Sequence, residues 1–419
     1  MNVRIKKSNL CGDVVIPPSK SLSHRAIIAA SLANGRSVIK NIMYSKDVLA
    51  TIAGMRGLGA KIEEHDDYLV IDGTYPKRVN DVINANESGS TLRFLIPIAM
   101  LADGDVTFVG VNNLVNRPLD IYFNLFDKLN IKYERKEAYL PLKICGKLKN
   151  VNFQMPGDVS SQFITGLLFS LPLCDNDSKI IITTPLESKG YIDLSIDILK
   201  RFGISIINND YHEFIIKGNQ AYKPADYTVE GDYSQSAFFL VANALGAKIN
   251  LLNMNKDSYQ GDKKIIDDLK LFGLNVRFDG DVLTLDGKAK PATIDMSLSP
   301  DLGPALTVLA SLTEGESHLV NAKRLRIKEC DRISCMREEI EKLGGKIIEH
   351  EDSMDIYGVD SFKGTTVSAH NDHRLAMALS LAMLKTDGDI VIEGAESVSK
   401  SFPNYWEVFK SLGGDINYE

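Results

Sequence analysis

The sequence predicts an α/β protein made of two similar globular domains, each holding three repeats of one helix-plus-strands unit. Three observations carry this expectation. Apolar helices opening on Ser or Asp recur six times along the 419 residues. Between them an amphipathic helix followed by a pair of alternating strands also recurs. The heads of the apolar helices fall about 70 residues apart, longer than the common solenoid repeats but the same kind of signal. Six such units exceed the usual size of one hydrophobic core, so two globes of three are expected.

The first apolar helix sets the pattern. In PSKSLSHRAIIAASLANG, a polar head of Ser19, Lys20, Ser21, Ser23, His24 and Arg25 runs into the body Ala26–Ala33 and stops at Gly35. Apolar residues on nearly every side predict a buried helix. Ser stands where an N-cap belongs and Gly where a C′ residue belongs. The design returns in Ser88–Gly104, Ser160–Cys174, Asp232–Gly246, Asp301–Gly315 and Asp372–Gly388. The surface helices follow at Ser45–Gly59, Leu119–Asn130, Ile192–Gly203, Lys264–Gly273, Arg332–Gly345 and Tyr405–Gly414. Most lead into a segment such as KIEEHDDYLVIDG, whose period-two alternation reads as half-buried hairpin strands.

The chain is expected to divide into residues 1–14 with 229–419, and residues 15–228 as an inserted domain. The polar stretch KPADYTVEGDYS reads as a linker at the second crossing. The strand around Val3–Ile5 precedes the first unit and is expected to pair back onto the discontinuous domain.

Composition narrows the function. With 44% hydrophobic and 25% charged residues the chain reads as an ordinary globular protein. A net charge of −7 argues against a nucleic-acid binder but leaves room for a local basic site. Five cysteines without ligand spacing read as reduced thiols, the nearest pair being Cys330 and Cys335. The N-terminal MNVRIKKSNL lacks an apolar h-region, and the apolar helices are too short or interrupted to span a bilayer. A cytoplasmic location, and no membrane partner, are expected.

Positive charge collects at helix starts. Lys20, Arg25, Arg93 and Arg374 lie in the heads of apolar helices; Arg117, Lys189, Lys328, Arg332 and Lys400 lie near the starts of surface helices. If the helices of each domain run parallel, these groups line a cleft between the two domains. An exposed helix N-terminus contributes ~0.3–1 kcal/mol toward an anion. A Lys or Arg about 4 Å from a phosphate contributes roughly 4 kcal/mol in a partly dry site, before desolvation. The side chains therefore dominate affinity, and the anion is the expected ligand class. Asp301, Glu329 and Asp372 are the carboxylates among these cations, where an acid stays ionised and can act as a base. Taken singly, Asp301 reads equally as a helix cap and Glu329 as part of a solvated charge run. His24 and His373, each beside an Arg, read as structural.

The motifs PPSKSLSHRAIIAASLANG, ESGSTLRFL, NRPLD, VSSQFITGLL, ESKGYIDLSIDILK, SPDLGPAL, LRIKECDRI, NDHRLAMALSLA and KSFPNYWE together resemble those of the 5-enolpyruvylshikimate-3-phosphate synthases. The resemblance runs the length of the chain, in the family's order. It implies two domains of inside-out α/β barrel type closing over substrate. It also implies transfer of the enolpyruvyl group of phosphoenolpyruvate to the 5-hydroxyl of shikimate 3-phosphate, with release of phosphate and without metal or organic cofactor, by a monomer. By the same resemblance Lys20, Ser21, Arg25, Ser160, Ser161, Gln162, Ser188, Asp301 and Lys328 hold shikimate 3-phosphate. Lys20, Gly89, Arg117, Gln162, Arg332, Arg374 and Lys400 hold phosphoenolpyruvate. Asp301 takes the hydroxyl proton, Glu329 with Lys20 handles the methylene proton, and Tyr191 packs on the shikimate side. Gly89 is expected to let backbone N–H groups approach the phosphate.

Two departures stand out. Glu87, Ser88, Gly89 and Ser90 replace the Asn-Ala-Gly-Thr of many members, and Glu87 is expected to face away from the anion. Arg324 stands where some members carry Asn. The rival readings are the sister transferase acting on UDP-N-acetylglucosamine, which looks different at SKSLSHR, VSSQF and RIKECDR and uses a loop Cys, and a non-catalytic anion-binding protein. A P-loop is excluded, because Pro17 and Pro18 precede SKS in place of a Gly-rich loop.

Overall fold

Twelve α-helices alternate between two kinds. They are α1 (Lys20–Leu32), α2 (Lys46–Gly57), α3 (Gly89–Ala99), α4 (Asp120–Leu129), α5 (Ser161–Ser170), α6 (Lys189–Arg201), α7 (Tyr233–Ala244), α8 (Ile265–Leu271), α9 (Gly303–Ser311), α10 (Arg332–Lys342), α11 (His373–Ser380) and α12 (Tyr405–Ser411) in the computed structural model, which describes residues 1–419. The odd-numbered helices are buried almost throughout: every residue of α9, for example, is buried. Each fully buried Leu, Ile or Phe on them contributes ~1.5–3 kcal/mol relative to exposure. The even-numbered helices bury a stripe, such as Ile121, Tyr122, Leu125 and Phe126 on α4.

Six four-stranded sheets accompany the helices. All six share one plan, in which a parallel pair is extended by two antiparallel neighbours. Thr293–Asp295 runs parallel to Glu316–Val320, which pairs antiparallel with Met354–Tyr357, itself antiparallel to Lys346–Glu349. Strand burial alternates, as in the iBiB pattern of Glu213–Ile216, so each sheet keeps one face toward water.

The chain divides into two compact units, Met1–Ser19 with Glu230–Glu419, and Lys20–Val229. The first crossing thus falls five residues later than position 14. Cys11–Val15 pairs in parallel with Lys248–Leu252, and Pro18 bridges Gly231, which holds residues 15–19 with the discontinuous unit. Within that unit Asn2–Lys6 lies between Ile390–Glu393 and Asp415–Tyr418, so the N-terminal strand does pair back. The expected linker KPADYT is not free chain. Its Tyr227–Thr228 adds a strand beside Gly35–Lys40, and Asp226 accepts the Val38 N–H at 2.9 Å. Backbone groups that would otherwise face water at that sheet edge are paired instead.

Gly35 does not end α1, which stops at Leu32; it opens the next strand at φ 142°. Asp301 does not cap α9. It lies in a 3-10 turn, Pro300–Leu302, and α9 begins at Gly303 without a side-chain cap. That leaves its carboxylate for other partners.

Candidate active site

In the Lys20–Val229 unit the helix heads are tied to one another by hydroxyls. His24 Nδ1 bonds Thr51 Oγ1 at 2.7 Å, Thr51 bonds Thr91 Oγ1 at 2.7 Å, and Thr91 donates to Ser88 Oγ at 2.8 Å. Ser88 in turn accepts the Thr91 N–H and caps α3. Burial, then Lys20 and Arg25, hold the His24 imidazole well below its ordinary range. It is a neutral tether between α1 and α2.

The cations of this unit are held by neighbouring groups. Arg25 is 2% exposed. It donates to Ser195 Oγ at 2.9 Å, the Ser21 carbonyl at 2.8 Å and the Tyr191 carbonyl at 3.0 Å, with Phe94 and Tyr191 rings 5.2 and 5.9 Å away. Burial pulls its guanidinium down to about 10, so it stays charged at neutral pH. Lys20 pairs with Asp47 Oδ2 at 2.9 Å. Gln162 is fixed on both ends, accepting from Arg93 at 2.9 Å and donating to Ser90 at 3.0 Å. Ser160 caps α5 through the Gln162 N–H, and Ser161 is buried on its first turn. Ser188 is buried and left-handed at φ 54° just before α6.

Gly89 also makes space for a neighbouring cation. A Cβ there would lie 2.6 Å from Arg117 Nη1 and 2.9 Å from its Cζ. The missing side chain makes room for the Arg117 guanidinium against the start of α3. Lys189, counted among the helix-start cations, turns aside: its ammonium lies 5.0 Å from the Tyr211 ring centroid.

In the other unit the predicted residues meet on one carboxylate. Asp301 Oδ1 takes Arg332 Nη1 at 2.8 Å and Lys328 Nζ at 3.2 Å, and its Oδ2 takes Arg374 at 3.1 Å. Arg332 has 1% of its side chain exposed and also binds Glu329 Oε2 at 2.8 Å and Asp372 Oδ2 at 2.7 Å. Asp372 caps α11 through the Arg374 N–H at 2.8 Å. Lys400 donates to the Asn371 carbonyl at 2.5 Å, one residue before that cap. The cap, the cation and the turn are thus one structure.

These groups set each other's ionisation. Burial alone would raise the Asp301 carboxyl, but Arg374, Lys328 and Arg332 outweigh it and hold it well below the usual range. Burial lowers Lys328 to about 8; Asp301 opposes the shift, while Arg324 and Arg332 add to it. Arg324 therefore lies near enough to disfavour the Lys328 charge. Asp262, buried beside Ser234, is pushed up to about 6 by burial and by Asp301. Cys330 lies 3.7 Å from Asp372 Oδ2, and its thiol is raised by a hydrogen bond with Cys335 and by burial. It stays protonated and is no nucleophile.

Three partners, Asp47, Asp262 and Glu339, escaped the sequence reading, and a fourth, Asp372, was read without its bond to Arg332. Asp47 and Asp262 sit in segments without an apolar head to mark them. Asp372 was noted, but its bond to Arg332 joins residues 40 apart. Glu339, on the buried face of α10, has a fully buried side chain; it takes His370 Nε2 at 2.6 Å and the Ser368 N–H at 3.0 Å. It thereby anchors the left-handed pair His370 and Asn371, at φ 48° and 55°, that leads into α11. In the string REEIEKLGG it is one Glu among several, and only the chain's return at 368–370 sets it apart.

The profile of the EPSP synthase (3-phosphoshikimate 1-carboxyvinyltransferase) family matches residues 5–409. The chain belongs to this family. It is 51% identical to the 3-phosphoshikimate 1-carboxyvinyltransferase of Clostridium beijerinckii, over 99% of this chain and 98% of that one. The Clostridioides difficile protein of the same name is 50% identical over the same shares. The fold is similar to that of an EPSP synthase from Acinetobacter baumannii, with a TM-score of 0.82, 25% identity and full coverage of both chains. The enolpyruvyl transferase NikO from Streptomyces tendae shares the fold at a TM-score of 0.82 and 16% identity, covering 100% of this chain and 98% of its own. As an EPSP synthase family member the chain has the two-domain α/β architecture expected, and no helix in it is long and apolar enough to cross a membrane.

Proposed function

We propose that this chain transfers the enolpyruvyl group of phosphoenolpyruvate to the 5-hydroxyl of shikimate 3-phosphate, releasing phosphate through a tetrahedral ketal. The transferase activity rests on membership of the EPSP synthase family and on relatives at about half identity bearing the enzyme's name. The assignment of roles rests on a single observation, the convergence of Lys328, Arg332 and Arg374 on the Asp301 carboxylate.

The chemistry explains why so many cations are needed. Each substrate brings a carboxylate and a phosphate of roughly −1.5 to −2 charge at neutral pH. Arg332, Arg374 and Lys400 take the phosphoenolpyruvate anions together with Arg117, Gly89, Gln162 and Lys20. Arg25, Ser21, Ser160, Ser161, Gln162, Ser188, Lys20 and Lys328 take shikimate 3-phosphate. Asp301 accepts the proton of the attacking hydroxyl. In the free protein its three cations make it a weak base. When substrate anions share those cations, the field on Asp301 falls and its basicity rises, so its function is switched on by binding. Glu329, held by Arg332, and Lys20 move the methylene proton on and off the ketal.

A binding protein would need the cations but neither carboxylate. Asp301→Asn or Glu329→Gln should cut turnover at least a hundredfold, the usual scale of a lost acid or base. Calorimetric affinity for shikimate 3-phosphate should change far less. Equal losses in turnover and affinity would favour anion binding alone. Phosphate release from phosphoenolpyruvate, compared with and without shikimate 3-phosphate, tests the activity itself; release indifferent to shikimate 3-phosphate would overturn it.

A further inference from the structure

We propose that the outer face of the sheet carrying Glu316–Val320 holds a divalent transition-metal site, with Glu316, His318 and Asp355 as ligands and zinc as the best-fitting ion. Register brings them together. His318 and Asp355 are direct cross-strand partners, and Glu316, two residues before His318, opens the same face. One ligand atom from each lies within 4.8 Å of the other two.

The detail is that of a coordination set rather than a charge cluster. His318 Nδ1 meets Asp355 Oδ1 at 2.7 Å. Bonds of about 2.0–2.2 Å to a tetrahedral zinc place neighbouring ligand atoms about 3.4 Å apart. An ion inserted between imidazole and carboxylate thus asks the pair to open by well under 1 Å. The side chains of His318 and Asp355 are 37% and 27% exposed, which leaves room for that movement and for water on the remaining position.

The Asp355 carboxylate also has an orienting partner. His350 Nε2 holds the second oxygen of Asp355 at 2.7 Å. Partners of this kind fix ligand geometry in metal sites. Lys346, the cross-strand partner of Tyr357, is drawn over the Tyr357 ring at 4.4 Å. An imidazole with two carboxylates selects zinc over magnesium or calcium, which prefer all-oxygen shells. None of these residues belongs to the proposed catalytic set, so the site bridges Glu316–Val320 to Met354–Tyr357 independently of the reaction.

The test is zinc titration of chelator-stripped full-length protein by calorimetry, with Zn²⁺ alone as the probe. Wild type is expected to take up zinc at a site that His318→Ala and Asp355→Asn each weaken at least tenfold. Loss of the orienting partner, in His350→Ala, should weaken it about tenfold. Asp355→Asn keeps the shape of the side chain and guards against a His318→Ala variant that fails to fold. Turnover of both variants without zinc should match wild type. No zinc uptake by wild type, or uptake unchanged in both variants, would overturn the site; the second result would place the ion on other groups, such as Cys330 with Cys335.

Discussion

Lys328 is pulled in two directions at once. Burial favours the neutral amine and Asp301 favours the ammonium; burial prevails, leaving the group near 8. A phosphate partner needs the charge. In the free protein kcat/KM for shikimate 3-phosphate should therefore fall above about pH 8, by up to about tenfold per pH unit. Lys328→Arg, which keeps its charge, should show no such fall, whatever its absolute rate. A wild-type profile flat from pH 7 to 10 would remove Lys328 from the phosphate site. Its identity was legible in RIKECDR; its altered acidity was not, because that depends on burial by the folded chain, opposed by Asp301, 27 positions away.

Helix α10 shows how an element delivers side chains accurately. Asp331 caps it, and Arg326 joins Asp331 to Glu349 with contacts of 2.8 and 2.9 Å. Glu349 also accepts from Ser334 at 2.7 Å and Arg337 at 2.8 Å. The first turn, which carries Arg332, is thus clamped to the neighbouring strand. Burial alone would raise the Glu349 carboxyl, but Ser334, Arg337 and Arg326 bring it to about 2. A depressed acid stabilises the fold above its ordinary carboxylate range and loses that contribution as pH falls toward about 2. Glu349→Gln should therefore cost about 1 kcal/mol at pH 7. The gap to wild type in thermal melts should close between about pH 4 and pH 2. A gap independent of pH would mean the carboxylate charge is irrelevant. The helix was expected from Arg332 onward, but neither the Asp331 cap nor the clamp, which joins three segments, was read from the sequence.

At the scale of the whole molecule, the proposed ligands are divided between two units joined by two crossing strands of chain. We infer that turnover needs both sets, so Arg25→Ala in one unit and Arg374→Ala in the other should each lower kcat/KM at least about tenfold. An unchanged kcat/KM in either variant would remove that unit's cation from the site. The pairing of Asn2–Lys6 beside Ile390–Glu393 and of Tyr227–Thr228 beside Gly35–Lys40 completes one sheet in each unit with chain from a distant position.

The six-fold recurrence, the buried character of the odd helices, the caps Ser88, Ser160, Asp232 and Asp372, and the family motifs were all set by local sequence. Periodicity and capping act within a few residues, so one helix at a time suffices to show them. What only the tertiary structure decided lies between segments. Asp301 serves Arg332, Lys328 and Arg374 rather than a helix end. Gly89 yields space to Arg117, Glu339 holds a turn 29 residues on, and Tyr227–Thr228 is a strand and not a linker. A carboxylate's partners and its acidity depend on which cations the fold brings within a few ångströms, and that information is absent from any single stretch of chain.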